Sequence, residues 1–286
     1  MALIDGKEVA AGLQEALKKK VASLKGRAPS LKVILVGQNP ASLVYTRRKL
    51  QAAQTVGIDS EIIELGEKTS EAELLSLIQK LNESSDVDGI LVQLPLPPQI
   101  DPHHVITTID PGKDVDGFHP LNLGRLLAGD PSGFVPCTPL GIQKLLLAYN
   151  VNPEGKHVLI VGRSQIVGKP LAALLMQNSP GANATVTVAH SKTANLPSLS
   201  RSADILIAAI GKPRFIQASM IRPGAVIIDV GINAEEGRLV GDVDFENVAP
   251  LASLITPVPG GVGPMTIACL LSNTLKAREK TNNLSG

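Results

Sequence analysis

The chain has 286 residues, more than a single hydrophobic core usually serves, so two domains are expected. Apolar residues make up 44% of it and aromatics only 2%, which leaves Ile, Leu, Val and Ala to fill the interiors and suits a parallel sheet buried on both faces. A formal net charge of +1, with no block of like charges, argues against a nucleic-acid groove or a polybasic membrane patch and points to a small-molecule partner.

The elements follow in chain order. Val9, Leu13, Leu17, Val21 and Leu24, spaced by four and three, mark one face of a helix. Leu31–Gly37 reads as a strand, Ser42–Val56 as a helix closed by Gly57, and Ser60–Leu65 as a strand. Ser70 and Glu73 form a capping box for a helix through Leu81. Asp88–Leu94 is a strand stopped by Pro95, Pro97 and Pro98. A polar, turn-rich stretch runs from Asp101 to Pro136, and Thr138 and Pro139 look like the N-cap and first turn of a helix through Ala148. The alternation then restarts. Lys156–Gly162 is a strand, Val167–Asn178 a helix, and Ala184–His190, Asp204–Ile210 and Ala225–Gly231 are strands. The Pro/Gly segment Thr256–Pro264 leads into a last helix holding Met265, Cys269, Leu270 and Leu275. Strands alternating with helices mean βαβ units and parallel sheets. The fold class expected is therefore α/β in two domains, residues 1–120 and 121–264, with the helix from about 265 to 286 packing back on the first.

No stretch approaches the ~18 uninterrupted apolar residues of a membrane span. The segment up to Lys7 carries Asp5 and Lys7 and no apolar signal core. Cys137 and Cys269 cannot build a disulfide framework. A cytoplasmic protein is expected, with no membrane and no nucleic acid among its partners.

In the second half, the strand ending at Val161 runs into Gly162-Arg-Ser-Gln-Ile-Val-Gly168 and then a helix. Strand, glycine turn and helix N-terminus form the context of a dinucleotide fingerprint. Ser164 stands where a second glycine would be and Gly168 falls one place late, so an ordinary strand–helix turn is the alternative. The next strand ends in His190-Ser191-Lys192 with no acid for a ribose 2′-OH, whereas Arg163 and Ser191 suit a 2′-phosphate. That favours NADP over NAD, the alternative for Arg163 being a solvated loop charge.

In the first half, Tyr45 and Lys49 lie four residues apart, about 6 Å of rise, on one helix face. Gln93 stands at the carboxyl end of the Asp88–Leu94 strand, the edge where open α/β sheets bind ligands. In Lys113-Asp-Val-Asp-Gly117, Asp116 can offer a carboxylate to a ring with paired N–H donors; a solvated turn residue or an Asx-turn cap is the alternative for both Asp114 and Asp116, above all for Asp114. Pro257-Val-Pro-Gly-Gly-Val-Gly-Pro264 combines glycines that admit a ligand to the backbone with prolines that hold the loop's shape. Asp242 and Asp244 make a poor metal site and read as surface or structural residues, so no metal is expected. Cys137 reads as a small buried hydrophobe.

Ser42-x-x-Tyr45-x-x-x-Lys49, Gly89-Ile-Leu-Val-Gln-Leu-Pro-Leu-Pro97, Lys113-Asp-Val-Asp-Gly117, Pro136-Cys-Thr-Pro139, Gly162-Arg-Ser-x-Ile-Val-Gly168, Asp229-Val-Gly-Ile-Asn233 and Pro257-Val-Pro-Gly-Gly-Val-Gly-Pro-Met-Thr266 occur in that order. The chain thereby resembles the bifunctional methylenetetrahydrofolate dehydrogenase/methenyltetrahydrofolate cyclohydrolase family along essentially its whole length. A shikimate-type dehydrogenase, a rival of similar layout, should lack the Pro-Gly-Gly-Val-Gly-Pro loop. The resemblance implies a folate domain and a Rossmann-like NADP domain with a substrate cleft between them, usually as a homodimer. It implies Tyr45 stacking on the aminobenzoyl ring, Lys49 as the catalytic lysine, Gln93 orienting it and Asp116 holding the pterin. Val92, Leu94, Pro259, Gly260 and Gly263 would complete the folate site, and Gly162, Arg163, Ser164, Ser191 and Ile232 would contact NADP.

Overall fold

The alternation of apolar runs and amphipathic segments folds into two α/β units, which the computed structural model describes over residues 2–235 and 237–284. One unit comprises Gly12–Arg125, Asp130–Cys137 and the segment from Ile267 onward. The other comprises the residues up to Ala11, Leu126–Gly129 and Thr138–Thr266. They are called here the first and second unit.

The chain opens with a two-residue strand, β1 (Ala2–Leu3), and helix α1 (Gly6–Ala22). The first unit's sheet contains β2 (Ser30–Val36), β3 (Asp59–Leu65) and β4 (Gly89–Val92), in the order β3-β2-β4 and parallel throughout. The crossovers are α2 (Pro40–Val56) and α3 (Glu71–Glu83). Gly57, at φ +84, ends α2 in a conformation that penalises a side chain. Ser70 and Glu73 make the reciprocal capping box at the start of α3. Ile34, Val36, Ile90 and Val92 of the sheet pack with Leu74 and Ile78 of α3 and with Val105. The stretch expected to be turns, from Asp101 to Pro136, holds two short helices instead, α4 (Pro102–Thr108) and α5 (Pro120–Ala128). Their lengths are too short for a clear periodicity, although Asp101 capping His103 N–H ahead of Pro102 is a legible start signal.

The second unit's longest segment opens in α6 (Cys137–Ala148), so Thr138 lies inside the helix rather than at its N-cap, and its hydroxyl meets that of Thr266 at 3.0 Å. After it come β5 (His157–Val161), α7 (Gly168–Leu175), β6 (Thr185–Ala189), α8 (Leu196–Arg201), β7 (Ile205–Ala208) and β8 (Val226–Asp229). A small antiparallel hairpin, β9 (Asn233–Glu235) with β10 (Arg238–Val240), precedes α9 (Phe245–Val248) and β11 (Leu254–Ile255). The parallel sheet runs β1-β11-β8-β7-β5-β6. Since β6 lies on one side of β5 and β7 on the other, the topology switches between β5 and β7, where doubly wound sheets bind ligands. Four-residue strands Ile205–Ala208 and Val226–Asp229 are buried throughout, as the aliphatic composition requires. The last helix, α10 (Val262–Leu284), starts three residues earlier than the sequence suggests and takes Gly263 and Pro264 into its first turn. No described helix is long and apolar enough to cross a membrane.

Candidate functional site

On α2, the buried positions Ser42, Thr46, Lys49, Ala53 and Val56 recur at intervals of four and three, so Lys49 lies on the stripe facing the sheet. Lys49 is 4% exposed, and its ammonium sits 4.8 Å from the centre of the Tyr45 ring and donates to Gln93 Oε1 at 2.9 Å. Gln93 follows β4 directly, and its N–H bonds Ile34 O at 2.9 Å. Its own amide donates to Leu94 O at 2.7 Å, which decides that the carbonyl end faces Lys49. Burial pulls the Lys49 ammonium below its ordinary range, with Asp116 pulling the other way.

The turn that carries Asp116 is fastened at every other residue. Lys113 Nζ donates to Leu81 O, Asn82 O and Ser84 O at 2.7–3.0 Å, capping the end of α3, while Lys113 O accepts from Ile90 N–H. Asp114 accepts from the N–H groups of Gly117, Phe118 and His119 and from the Asn122 amide. It is 2% exposed, so the cap reading holds and the solvated-turn reading does not. Gly117, at φ +80, lies so close to Pro136 that an added Cβ would come within 2.7 Å of its nitrogen. Asp116 is half-buried with its carboxylate near Lys49 and the Cys137 thiol; burial raises its pKa and Lys49 opposes the rise. Cys137 is buried, as expected of a small hydrophobe, and burial raises its thiol so far that it stays a neutral donor.

Tyr45, Lys49, Gln93, Leu94 and Asp116 thus gather around β4 and the Lys113–Gly117 turn of the first unit. Val92 joins them in sequence only, because its side chain packs into the core with Ile34 and Leu74. Pro259, Gly260 and Gly263 belong to the second unit. There Gly260 adopts φ +110, and a Cβ on Gly6 would lie 1.7 Å from Gly261 O, so the start of α1 is pressed against this loop.

The cofactor motif sits at the switch point of the second sheet. Gly162, at φ +134, approaches β7 so closely that a Cβ would fall 2.1 Å from Ala209 O, and a Cβ on Gly168 would fall 2.2 Å from Gly162 O. The late third glycine is therefore required for closing the turn. Ser164 Oγ accepts from Val167 and Gly168 N–H, capping α7 where a second glycine would leave the amides bare. Arg163 and Ser191 are exposed, as is Ile232 at 62%. A turn that a Cβ would fill, exposed Arg163 and Ser191, and an acid-free end to β6 fit a phosphorylated dinucleotide. Asp229, part of a motif, and Asp242, read as a surface or structural residue, are both buried, which decides for the structural reading of Asp242. Asp229 accepts from the N–H groups of Gly231, Asp242 and Val243, and Asp242 from those of Ile210, Gly211 and Lys212 and from the Asn233 amide. Asp244 receives the Asn247 amide.

Residues 4–116 match the model of the tetrahydrofolate dehydrogenase/cyclohydrolase catalytic domain, and residues 136–282 that of the tetrahydrofolate dehydrogenase/cyclohydrolase NAD(P)-binding domain. The chain belongs to the tetrahydrofolate dehydrogenase/cyclohydrolase family. Among its relatives, the bifunctional protein FolD of Chlorobium limicola is 54% identical over 99% of this chain and all of its own length. The bifunctional FolD methylenetetrahydrofolate dehydrogenase/cyclohydrolase of Campylobacter jejuni superposes with a TM-score of 0.94 at 49% identity, covering 98% of this chain and 99% of its own. The methylenetetrahydrofolate dehydrogenase-cyclohydrolase of Trypanosoma brucei, solved with NADP and an inhibitor, gives a TM-score of 0.92 at 38% identity, covering 99% of this chain and 98% of its own. Membership in the family places the catalytic-domain match on the unit that holds Lys49 and the nucleotide-domain match on the glycine turn.

Proposed function

We propose that this chain oxidises 5,10-methylenetetrahydrofolate to 5,10-methenyltetrahydrofolate with NADP and then hydrolyses the product to 10-formyltetrahydrofolate, in the cytoplasm and as a homodimer. The observation that carries the reading is Lys49, a buried amine whose hydrogen-bond partner is the neutral Gln93 carbonyl. An ammonium that desolvation pulls down toward neutrality is suited to accept a proton. The T. brucei relative solved with NADP supports the choice of cofactor, together with exposed Arg163 and the acid-free end of β6.

NADP, when bound, supplies the hydride acceptor. Gly162 and Ser164 shape the turn that receives it, Arg163 and Ser191 meet its 2′-phosphate, and Ile232 offers an apolar wall. On the folate side, Tyr45 stacks on the aminobenzoyl ring, Asp116 accepts from the pterin N–H groups, and Leu94 and the backbone at Val92 line the site. Pro259, Gly260 and Gly263 shape the folate loop. Once the one-carbon bridge has lost its hydride it is a methenyl cation, and a water attacking that carbon must lose a proton. Gln93 fixes the direction of the Lys49 amine, and the amine takes that proton. Purified enzyme should form NADPH and methenyltetrahydrofolate in step, the methenyl absorbance then decaying faster than in buffer. NADPH formation followed by buffer-rate decay would leave a dehydrogenase only, and no NADPH formation would remove the reading.

A further inference from the structure

The last helix contributes one residue that neither the motifs nor the chemistry above accounts for. Asn273 is 4% exposed on a face of α10 that it shares with buried Cys269, Leu270 and Ala277, with half-buried Lys276 at the edge of that face. An amide in such a place is costly unless its protons are accepted. Its neighbour Thr274, equally buried, directs its hydroxyl to Leu270 O of the same helix at 2.9 Å. Asn273 reaches outward instead. Its Nδ2 donates to Val115 O at 2.8 Å and to Val135 O at 3.1 Å, with Cys137 Sγ at 3.7 Å.

Val115 immediately precedes Asp116, and its carbonyl also receives the Cys137 thiol at 3.3 Å. Gly117, immediately after Asp116, is held through its N–H by Asp114. The missing side chain at Gly117 lets this turn lie flush on Val135 and Pro136, the very segment whose carbonyl Asn273 also takes. The backbone on both sides of Asp116 is therefore immobilised, one side by Asp114 and the other by Asn273. We propose that Asn273 is a positioning residue, which holds the Asp116 carboxylate in register for the pterin ring by tying Val115 and Val135 together. The proposal rests on the reading of Asp116 as the pterin ligand. Precise placement of a binding group is worth orders of magnitude when it is set in advance, and little when the group must be ordered on binding.

A double-mutant cycle separates positioning from plain structural support, since only residues that act through one another depart from additivity. Full-length wild type, Asn273→Ala, Asp116→Ala and the double variant are titrated calorimetrically with tetrahydrofolate and, separately, with NADP. Asn273→Ala removes the amide donor from both carbonyls, leaving Val115 O only the weak Cys137 thiol, and should weaken tetrahydrofolate about tenfold while changing NADP less than about twofold. In the Asp116→Ala background it should weaken tetrahydrofolate by less than about twofold. The same loss in both backgrounds, or parallel loss of NADP, overturns the proposal. Asn273→Ser, which keeps a shorter donor, serves if the alanine variant does not fold, and failure of both to fold also overturns it, since Asn273 then supports the fold as a whole. Unchanged tetrahydrofolate binding in Asp116→Ala alone identifies the reading of Asp116 as the error and removes the positioning role with it.

Discussion

Asp116 in the first unit and Asp229 in the second are both carboxylates that burial pushes toward the neutral form, and their surroundings differ in kind. Asp229, 3% exposed, receives three backbone N–H groups at 2.9 Å and is roofed by Gly241, where a Cβ would sit 1.8 Å from Oδ2. Among the described residues Asp116 has no such backbone donors; it faces the Cys137 thiol and the charges of Lys49 and Asp114. The lysines repeat the contrast. Lys113 donates to three carbonyls, whereas among the described residues Lys49 donates to the Gln93 amide alone. Buried charges that serve the fold are saturated by protein groups, and those that serve a reaction are left with capacity for a ligand.

The comparison can be broken in order of expected effect. Lys49→Met keeps much of the stem volume and removes the amine, so hydrolysis of the methenyl substrate should fall by ~10²–10⁴, the usual reach of general base catalysis. Dehydrogenase activity should survive in weakened form, because hydride departure takes no proton from that carbon. Parallel loss of both rates, measured on one preparation, would make Lys49 a folate-binding residue only. Gly241→Ala should act on stability alone. The new methyl meets the Asp229 carboxylate and cannot be accommodated without moving the hairpin β9–β10, costing on the order of 3 kcal/mol. A thermal midpoint equal to that of wild type would show that the lid is not needed.

Asp229 gives a pH test of the same lock. Burial lifts its pKa from the ordinary 3.8 to about 6, so the folded state holds the proton more tightly than the unfolded chain. Its stabilising contribution is then full below pH ~4 and is lost as pH rises toward ~6, by up to about 3 kcal/mol, and is flat above that. Relative to Asp229→Asn, wild type should lose stability across that window in denaturant titrations; a gain would mean that the three N–H bonds outweigh burial. The smallest effect belongs to the cofactor turn. Arg163→Ala should weaken NADP by roughly 2 kcal/mol, a charge-assisted contact, and leave NAD nearly unchanged. Equal losses for both dinucleotides would return Arg163 to the status of a solvated loop charge.

Much of this was readable from residue order. The capping box at Ser70 and Glu73, the Gly57 stop and the aliphatic strands each depend on local chemistry, so the elements around the site appear where periodicity puts them. Tyr45 and Lys49 share a face for the same reason. What escaped notice depends on contacts distant in sequence. β1 is two residues long and exists because β11 pairs with it 252 positions away. Asp242 reads as either a surface or a structural acid until its N–H donors from Ile210 to Lys212 are seen. Asp114 and Asp116 are both open to a cap reading in sequence, and the turn's backbone decides that Asp114 is the cap and leaves Asp116 facing Lys49 and the Cys137 thiol. Asn273 left one faint signal, a lone amide amid Leu270, Leu271 and Leu275.

The central claim is that burial with one neutral partner leaves Lys49 poised to accept a proton, and a direct titration of that amine tests it. With ¹⁵N-labelled lysine, the Lys49 ammonium resonance is followed against pH in wild type and identified by its absence in Lys49→Met. The account predicts a pKa below the ordinary 10.5 of lysine, in the direction burial imposes. A value at or above 10.5 would mean that Asp116 holds the charge in place, and Lys49 would then be a permanent cation unable to act as the base.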